Sequence, residues 1–368
     1  MTNYIRRLTY YDLLFAGIGT VIGAGIFTLI GKACKYSGEY TWIATLIAGL
    51  FIYFITQSYI KINKKYDSND AEYLVIKDVF GENISKIIIL GAIIGGILTA
   101  YIVSEAFGEY LKSLFGVNEN ISTILCIVIC TIINIIGIKE LAYVNNVTTI
   151  MGIVGLIIIT IMGIVNLPKI KSLHNEIIPK TQTLNNYNVI GGVLISAYIM
   201  LFSYFGFETL IKLNKESIDP QNDLPKAMNH TVISTTLLYT IIAYISVVYV
   251  GPTLLSRSGA PLATTIQKIT PHNSIINYVK LCGVLLTFNT CLLTIAGTSR
   301  IIDDMMKPKN NDIIVKSKST TPVKYIIFIA FVIMILKICN VDIITATFIC
   351  NSGILTLLGG VFIASKMM

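Results

Sequence analysis

About ten apolar runs divide this chain, near residues 13–31, 42–62, 87–107, 121–138, 144–167, 189–210, 231–250, 275–297, 325–338 and 343–364. A helix needs about 20 apolar residues to cross the ~30 Å hydrocarbon core of a bilayer. Backbone polar groups in lipid must be satisfied within the segment, which for runs of this length means helices. The expected fold class is an all-α integral membrane protein with about ten transmembrane helices. Charged residues make up 13% of the 368. A soluble domain carries roughly 25%, so a soluble enzyme is excluded. The chain does not open on a charged prefix, short apolar core and small-residue cleavage site in succession. The first run reads as a retained span.

The 28 Lys and Arg outnumber the 20 Asp and Glu. Lying between apolar runs, they speak to topology rather than to nucleic acid, because cytoplasmic loops hold the excess of Lys and Arg. With the N-terminus inside, 18 of the 28 fall in inner segments. An even number of spans then puts both termini in the cytoplasm. Which membrane hosts the protein is not specified. The seven cysteines show no Cys-x-x-Cys spacing and sit in or beside spans, where their ordinary use is as small buried hydrophobes. His174, His230 and His272 are isolated. No metal, cofactor, nucleic-acid partner or catalytic residue is expected.

Two spans are interrupted. The first reads Gly17-Ile18-Gly19-Thr20-Val21-Ile22-Gly23-Ala24-Gly25-Ile26-Phe27. Each glycine costs a helix about 1 kcal/mol relative to alanine. An unwound turn is tolerated in lipid only where it is buried in protein or lines a cavity. Close packing through Gly19 and Gly23 is the other use of such a run. The sixth span reads Leu201-Phe202-Ser203-Tyr204-Phe205-Gly206-Phe207-Glu208-Thr209, with a glycine in mid-span and an acid two residues on. A carboxylate at the bilayer centre costs at least ~2.5 kcal/mol. Glu208 therefore faces the protein interior, or else it reaches inner water and pairs with Lys212, four residues on.

The two breaks open successive sets of five spans, and an odd repeat length inverts the second set. Glycine-interrupted helices at corresponding positions of two inverted halves point to a transporter site. Exposed N–H groups at the start of the outer half of span one make an anion site. Carbonyls around the break in span six accept hydrogen bonds from an ammonium. A zwitterion matches both.

These residues resemble a known family. Asp12-Leu13 through Gly19-Thr20-Val21-Ile22-Gly23-Ala24-Gly25-Ile26-Phe27 is similar to the first-span signature of the amino acid–polyamine–organocation superfamily of permeases. Phe205-Gly206-Phe207-Glu208 is similar to its sixth-span break, and Ser299-Arg300 to the end of its eighth span. Glu216, Asp219-Pro220 and Leu224-Pro225-Lys226-Ala227 are similar to its loop between spans six and seven. Gly137-Ile138-Lys139 with Asn145, Asn146 and Thr149 resembles the start of the fifth span in the cationic amino acid transporter branch. The resemblance implies the leucine-transporter fold in one transmembrane domain over 1–368, with a first five-helix repeat at 12–167 and an inverted second at 189–365. Many members have twelve or more spans. The two repeats need ten, so the core is expected to be complete and the missing helices peripheral, of the kind used in homo-oligomer contacts. The loop Tyr66-Asp67-Ser68-Asn69-Asp70-Ala71-Glu72-Tyr73 departs from the family's Pro and Gly-pair pattern.

Roles follow from the resemblance. The substrate-binding set is Val21, Ile22, Gly23, Ala24, Gly25, Phe202, Ser203, Phe205 and Glu208. Ala24 and Gly25 would offer N–H groups to a carboxylate, and the carbonyls of Val21, Phe202 and Phe205 would receive the amine. Phe202 would form part of an aromatic wall; core or lipid-facing aromatics are the commoner use. Glu208 would organise the broken helix or take part in gating. Glu105 would either favour cationic substrates from the outer vestibule or sit as an interfacial carboxylate, and the second is preferred. Thr290 and Thr294, one turn apart on span eight, would complete a sodium site or back-bond to their own helix. Asn145 and Asn146 read as packing or inner-gate residues. Proton-coupled relatives carry a lysine where this chain has Met151, which holds no proton, so Glu208 is the other proton-carrier candidate. The coupling ion stays open among proton, sodium and none.

The expected function is a secondary amino acid transporter working by alternating access, as permease or exchanger (antiporter). Its partners would be a small-molecule amino acid and the bilayer. The rival reading is a non-transporting sensor or degenerate homologue.

Overall fold

The computed structural model describes residues 6–66, 68, 71–136, 141–174, 188–306 and 322–368. Helices α1 (Tyr10–Val21) and α2 (Ala24–Ser37) share the first run, followed by α3 (Thr41–Lys65), α4 (Ala71–Phe115), α5 (Glu119–Ile136) and α6 (Leu141–His174). Then come α7 (Val189–Met200), α8 (Asp223–Val250), the short α9 (Pro252–Arg257) and α10 (Pro261–Ile269), α11 (Asn273–Met306), α12 (Val323–Ile338) and α13 (Ile343–Met367). The protein is all-α, and among the described residues strand-like pairing is limited to one isolated bridge.

Eight stretches among the described residues are long and apolar enough to cross a membrane, the first of them running through α2 and α3 as Ala24–Lys65. Large apolar side chains such as Phe54, Ile136, Ile190 and Phe331 face outward. A surface of that kind is at home in lipid. The protein is therefore integral and multi-pass. The core runs between the helices: α4 packs along α11 and α13, α3 along α8, and α2 against α7.

Local sequence sets the ends that matter for the site. Thr9 caps α1: its N–H donates to Asp12 Oδ2 at 2.9 Å, and its hydroxyl accepts from the Asp12 N–H at 3.4 Å. This reciprocal cap satisfies two orphan groups of a new helix. α1 ends where the Ile22 N–H makes its last helical bond, to Ile18 O, and α2 begins after Gly23 in an extended conformation (φ −113°, ψ −150°). Asn188 caps α7 by accepting from the Gly191 N–H at 2.8 Å.

Beyond α7 the chain tightens into a 3-10 turn, Leu201–Tyr204. It breaks at Phe205 (φ −63°, ψ 142°) and Gly206 (φ 118°), then resumes as a ten-residue 3-10 helix, Phe207–Glu216. Only glycine adopts the dihedrals of Gly206 without strain. The sequence leads one to expect an α-helical second half here. The 3-10 form also explains why Lys212 does not pair with Glu208. At three residues per turn, position i+4 is rotated about 120° away from i. Lys212 Nζ lies instead 4.0 Å from Glu72 Oε2.

Around the segment before α1 the chain is stitched together. Leu8 pairs in parallel with Ser217, with Leu8 N–H on Glu216 O and Ile218 N–H on Leu8 O. Asn63 donates to Pro220 O at 2.7 Å and accepts from Asn214 Nδ2 at 2.8 Å.

Candidate functional site

The two breaks meet. A Cβ placed on Gly25 would stand 2.6 Å from Ser203 Cα and 3.1 Å from Ser203 Oγ. The missing side chain is what lets the start of α2 lie directly on the span-six backbone. A Cβ on Gly206 would likewise stand 2.5 Å from the Thr20 carbonyl oxygen. Each interruption thus sits against the other chain segment. Ile22 is fully buried at this junction.

The polar groups here are unevenly satisfied. The first N–H groups of a helix have no partner within it. That of Ala24 donates to Thr290 Oγ1 across 3.3 Å. Ser203 is buried, and its hydroxyl has no hydrogen-bond partner among the described residues. A buried hydroxyl left unpaired costs about 1–3 kcal/mol, and this one lies against the start of α2. The carbonyl of Val21 accepts from the Tyr239 hydroxyl at 2.9 Å and from the Gly23 N–H at 2.8 Å, so both its lone pairs are engaged. Among the described residues, the Phe202 carbonyl receives a long bond, 3.4 Å, from the Phe205 N–H. The Phe202 and Phe205 rings lie 6.4 Å apart beside it.

Glu208 turns back on the break. Its Oε2 accepts the Gly206 N–H at 2.8 Å, holding the residue whose backbone is left-handed. Behind it, the Tyr59 ring stands edge-on to Phe207 at 5.3 Å, and the Tyr59 hydroxyl donates to Glu72 at 2.6 Å.

The remaining sequence candidates lie apart from this junction or at its edge. Thr290 reaches across to α2 rather than back to its own helix, and Thr294 is half-buried one turn further along α11. Glu105 forms an ion pair of 2.7 Å with Lys337, near the end of α12, the two side chains 16% and 10% exposed. Met151 is half-buried against the core, its carbonyl accepting from Tyr278 at 3.1 Å. Asn145 Oδ1 accepts from Asn289 at 2.7 Å, while Asn146 is exposed. Gly137, Ile138 and Lys139 of the fifth-span motif, and Asp67, Asn69 and Asp70 of the changed loop, lie outside the described residues.

Sequence reasoning passed over Tyr239, Lys337 and Asn289. A tyrosine or lysine inside an apolar run signals a partner, but the sequence does not say which. It also passed over Cys126, Cys130 and Cys291, which come together between α5 and α11.

Comparison with known proteins shows the family. The family model described as "Amino acid permease" matches residues 8–350. The branched-chain amino acid permease BcaP of Bacillus subtilis is 24% identical over 326 residues, covering 82% of this chain and 67% of the relative. Cationic amino acid transporter 7, chloroplastic, of Arabidopsis thaliana is 26% identical over 281 residues, covering 72% of this chain and 48% of the relative. The alignments thus span about half to two thirds of these relatives. Among solved structures, a substrate-bound, outward-open Na+-coupled sialic acid symporter superposes with a TM-score of 0.62 at 13% identity, covering 100% of this chain and 92% of that one. That likeness is one of fold.

Proposed function

The chain belongs to the amino acid permease family, and we propose that it moves an amino acid across the membrane by alternating access, binding it where the two broken spans meet. The observation that carries this reading is the Gly25–Ser203 contact with the unpartnered Ser203 hydroxyl beside it.

The substrate carboxylate binds the free N–H groups at the start of α2, those of Gly25 and Ile26, together with the Ser203 hydroxyl. The helix dipole favours negative charge at that end. The ammonium goes to the carbonyls of Phe202 and Phe205, which the break in span six frees from regular bonding. Val21 is left out of the amine site, because its carbonyl is already occupied by Tyr239 and Gly23. Glu208 acts as the clasp that fixes Gly206 and hence the direction of those carbonyls.

We read residues 12–167 and 189–365 as two inverted repeats, each opening with its broken span, and both termini as cytoplasmic. The paired breaks and the distribution of Lys and Arg support this. Motion of the broken spans against the rest would expose the junction to one side and then the other. Exchange of one amino acid for another fits better than proton-driven uptake through span five, where Met151 has nothing to titrate.

The test is counter-flow uptake into proteoliposomes with a panel of labelled neutral and cationic amino acids, run with and without sodium and a proton gradient. Saturable flux of at least one amino acid is expected. Binding without flux would select a sensor instead, and neither binding nor flux across the panel would overturn the assignment.

A further inference from the structure

Three cysteines converge in the membrane interior. Cys126 and Cys130 lie four residues apart on α5, the spacing that stacks two side chains on one helix face. Cys291 comes from α11. All three are fully buried, and their sulfur atoms lie within 4.8 Å of one another.

Their other contacts are weak. Cys130 Sγ approaches Phe288 O and Cys291 Sγ approaches Ala100 O, each at 3.8 Å. The thiols chiefly face each other.

We propose that Cys126, Cys130 and Cys291 bind one soft monovalent cation of the copper(I) class. Three sulfurs about 2.3 Å from a shared centre lie about 4 Å from one another, a spacing of the same order as the cluster's, whose sulfurs lie within 4.8 Å of one another. Thiolate sulfur selects soft cations, while a fourth protein ligand, which zinc would want, does not join the cluster among the described residues. Low charge also decides. A monovalent ion that displaces one thiol proton leaves the trio with no net charge, the least costly state for a group without water. Binding is ligand exchange without change of oxidation state: one S–H proton leaves to solvent, the sulfur lone pair goes to the metal, and the other two sulfurs coordinate as donors. The bound ion would tie α5 to α11 one residue from Thr290, whose hydroxyl holds the Ala24 N–H.

The probe is copper(I) itself, presented to the purified full-length chain in detergent as its complex with a chromogenic copper(I) chelator. Metal withdrawal is read from loss of the chelate colour, and thiolate ligation from the ultraviolet charge-transfer band. The wild type should withdraw one copper per chain. Cys126→Ser/Cys130→Ser/Cys291→Ser should withdraw none, and Cys291→Ser alone should lose about tenfold or more in affinity, as site-perturbing changes commonly do. A variant lacking the other four thiols, at Cys34, Cys282, Cys339 and Cys350, should retain the one copper. Helical circular dichroism and monodisperse elution confirm that each variant is folded. No withdrawal by folded wild type, or undiminished withdrawal by the folded triple variant, would overturn the proposal. Neither outcome bears on amino acid transport.

Discussion

The backbone N–H of Ala24 donates to the hydroxyl of Thr290 across 3.3 Å, joining the start of α2 to the middle of α11. Through this bond one group of the broken first span is already spoken for, and the proposed anion site is left to its neighbours. Thr290→Val, which keeps the shape and removes the acceptor, should free the Ala24 N–H and shift substrate affinity by about fivefold, the worth of one hydrogen bond of ~1 kcal/mol. Equilibrium binding of the labelled substrate identified by counter-flow checks it. An affinity identical to wild type would show that this bond has no bearing on the site.

Gly25 tolerates no side chain. Gly25→Ala puts a methyl 2.6 Å from Ser203 Cα, and Gly25→Leu adds far more bulk. Both should insert and elute normally, yet Gly25→Leu should lose binding altogether and Gly25→Ala should lose about tenfold, some 1.4 kcal/mol. Wild-type affinity in the leucine variant would end the case for this site.

Ser203 offers a test of opposite sign. Removing an unpartnered buried hydroxyl relieves a desolvation penalty, so Ser203→Ala should leave thermal stability unchanged or raise it while weakening substrate binding by about 1 kcal/mol. Loss of stability together with unchanged binding would mean the hydroxyl serves packing alone.

Energy coupling is addressed by uptake under an imposed inward proton gradient, comparing wild type, Met151→Lys and Glu208→Gln. Wild type should show little proton-driven accumulation, and what there is should fall in Glu208→Gln. Strong accumulation that survives Glu208→Gln would place the proton carrier elsewhere.

The Glu105–Lys337 pair should behave as a buried one. Breaking such a pair from one side costs about 3–5 kcal/mol, whereas replacing both partners with apolar groups is close to neutral. Thermal unfolding in detergent should therefore show Lys337→Met well below wild type and Glu105→Met/Lys337→Met near it. A double variant as weak as the single would show that the two charges act independently.

Much of this architecture was legible in the sequence, because bilayer thickness turns hydropathy into helix positions. The breaks at Ile22–Gly23 and Phe205–Gly206 were legible too, since glycine and a carboxylate inside an apolar run have few other uses. The ten-residue 3-10 helix after Gly206 was not. An α and a 3-10 reading of Phe207–Glu216 bury nearly the same side chains, and only the helix pitch decides that Lys212 meets Glu72 rather than Glu208. Partners far apart along the chain were equally hidden. Glu105 read as a vestibule or interfacial carboxylate, and nothing in its neighbourhood named Lys337 as its partner. The three-thiol cluster escaped for the same reason: Cys126 and Cys130 form a visible pair, and their third member lies on another helix.

The pairing of Leu8 with Ser217 has a consequence for biosynthesis. Leu8 is made about two hundred residues before its partner, and the first and sixth apolar runs both lie between them. At about 5–20 residues per second, the N-terminal segment waits about 10 to 40 s before its stitch can close. Until then the broken first span has neither Ser203 nor Gly206 to lie against, and its unwound turn needs shelter from lipid. The first break can therefore be completed only once the sixth span has been made, however early the first is delivered.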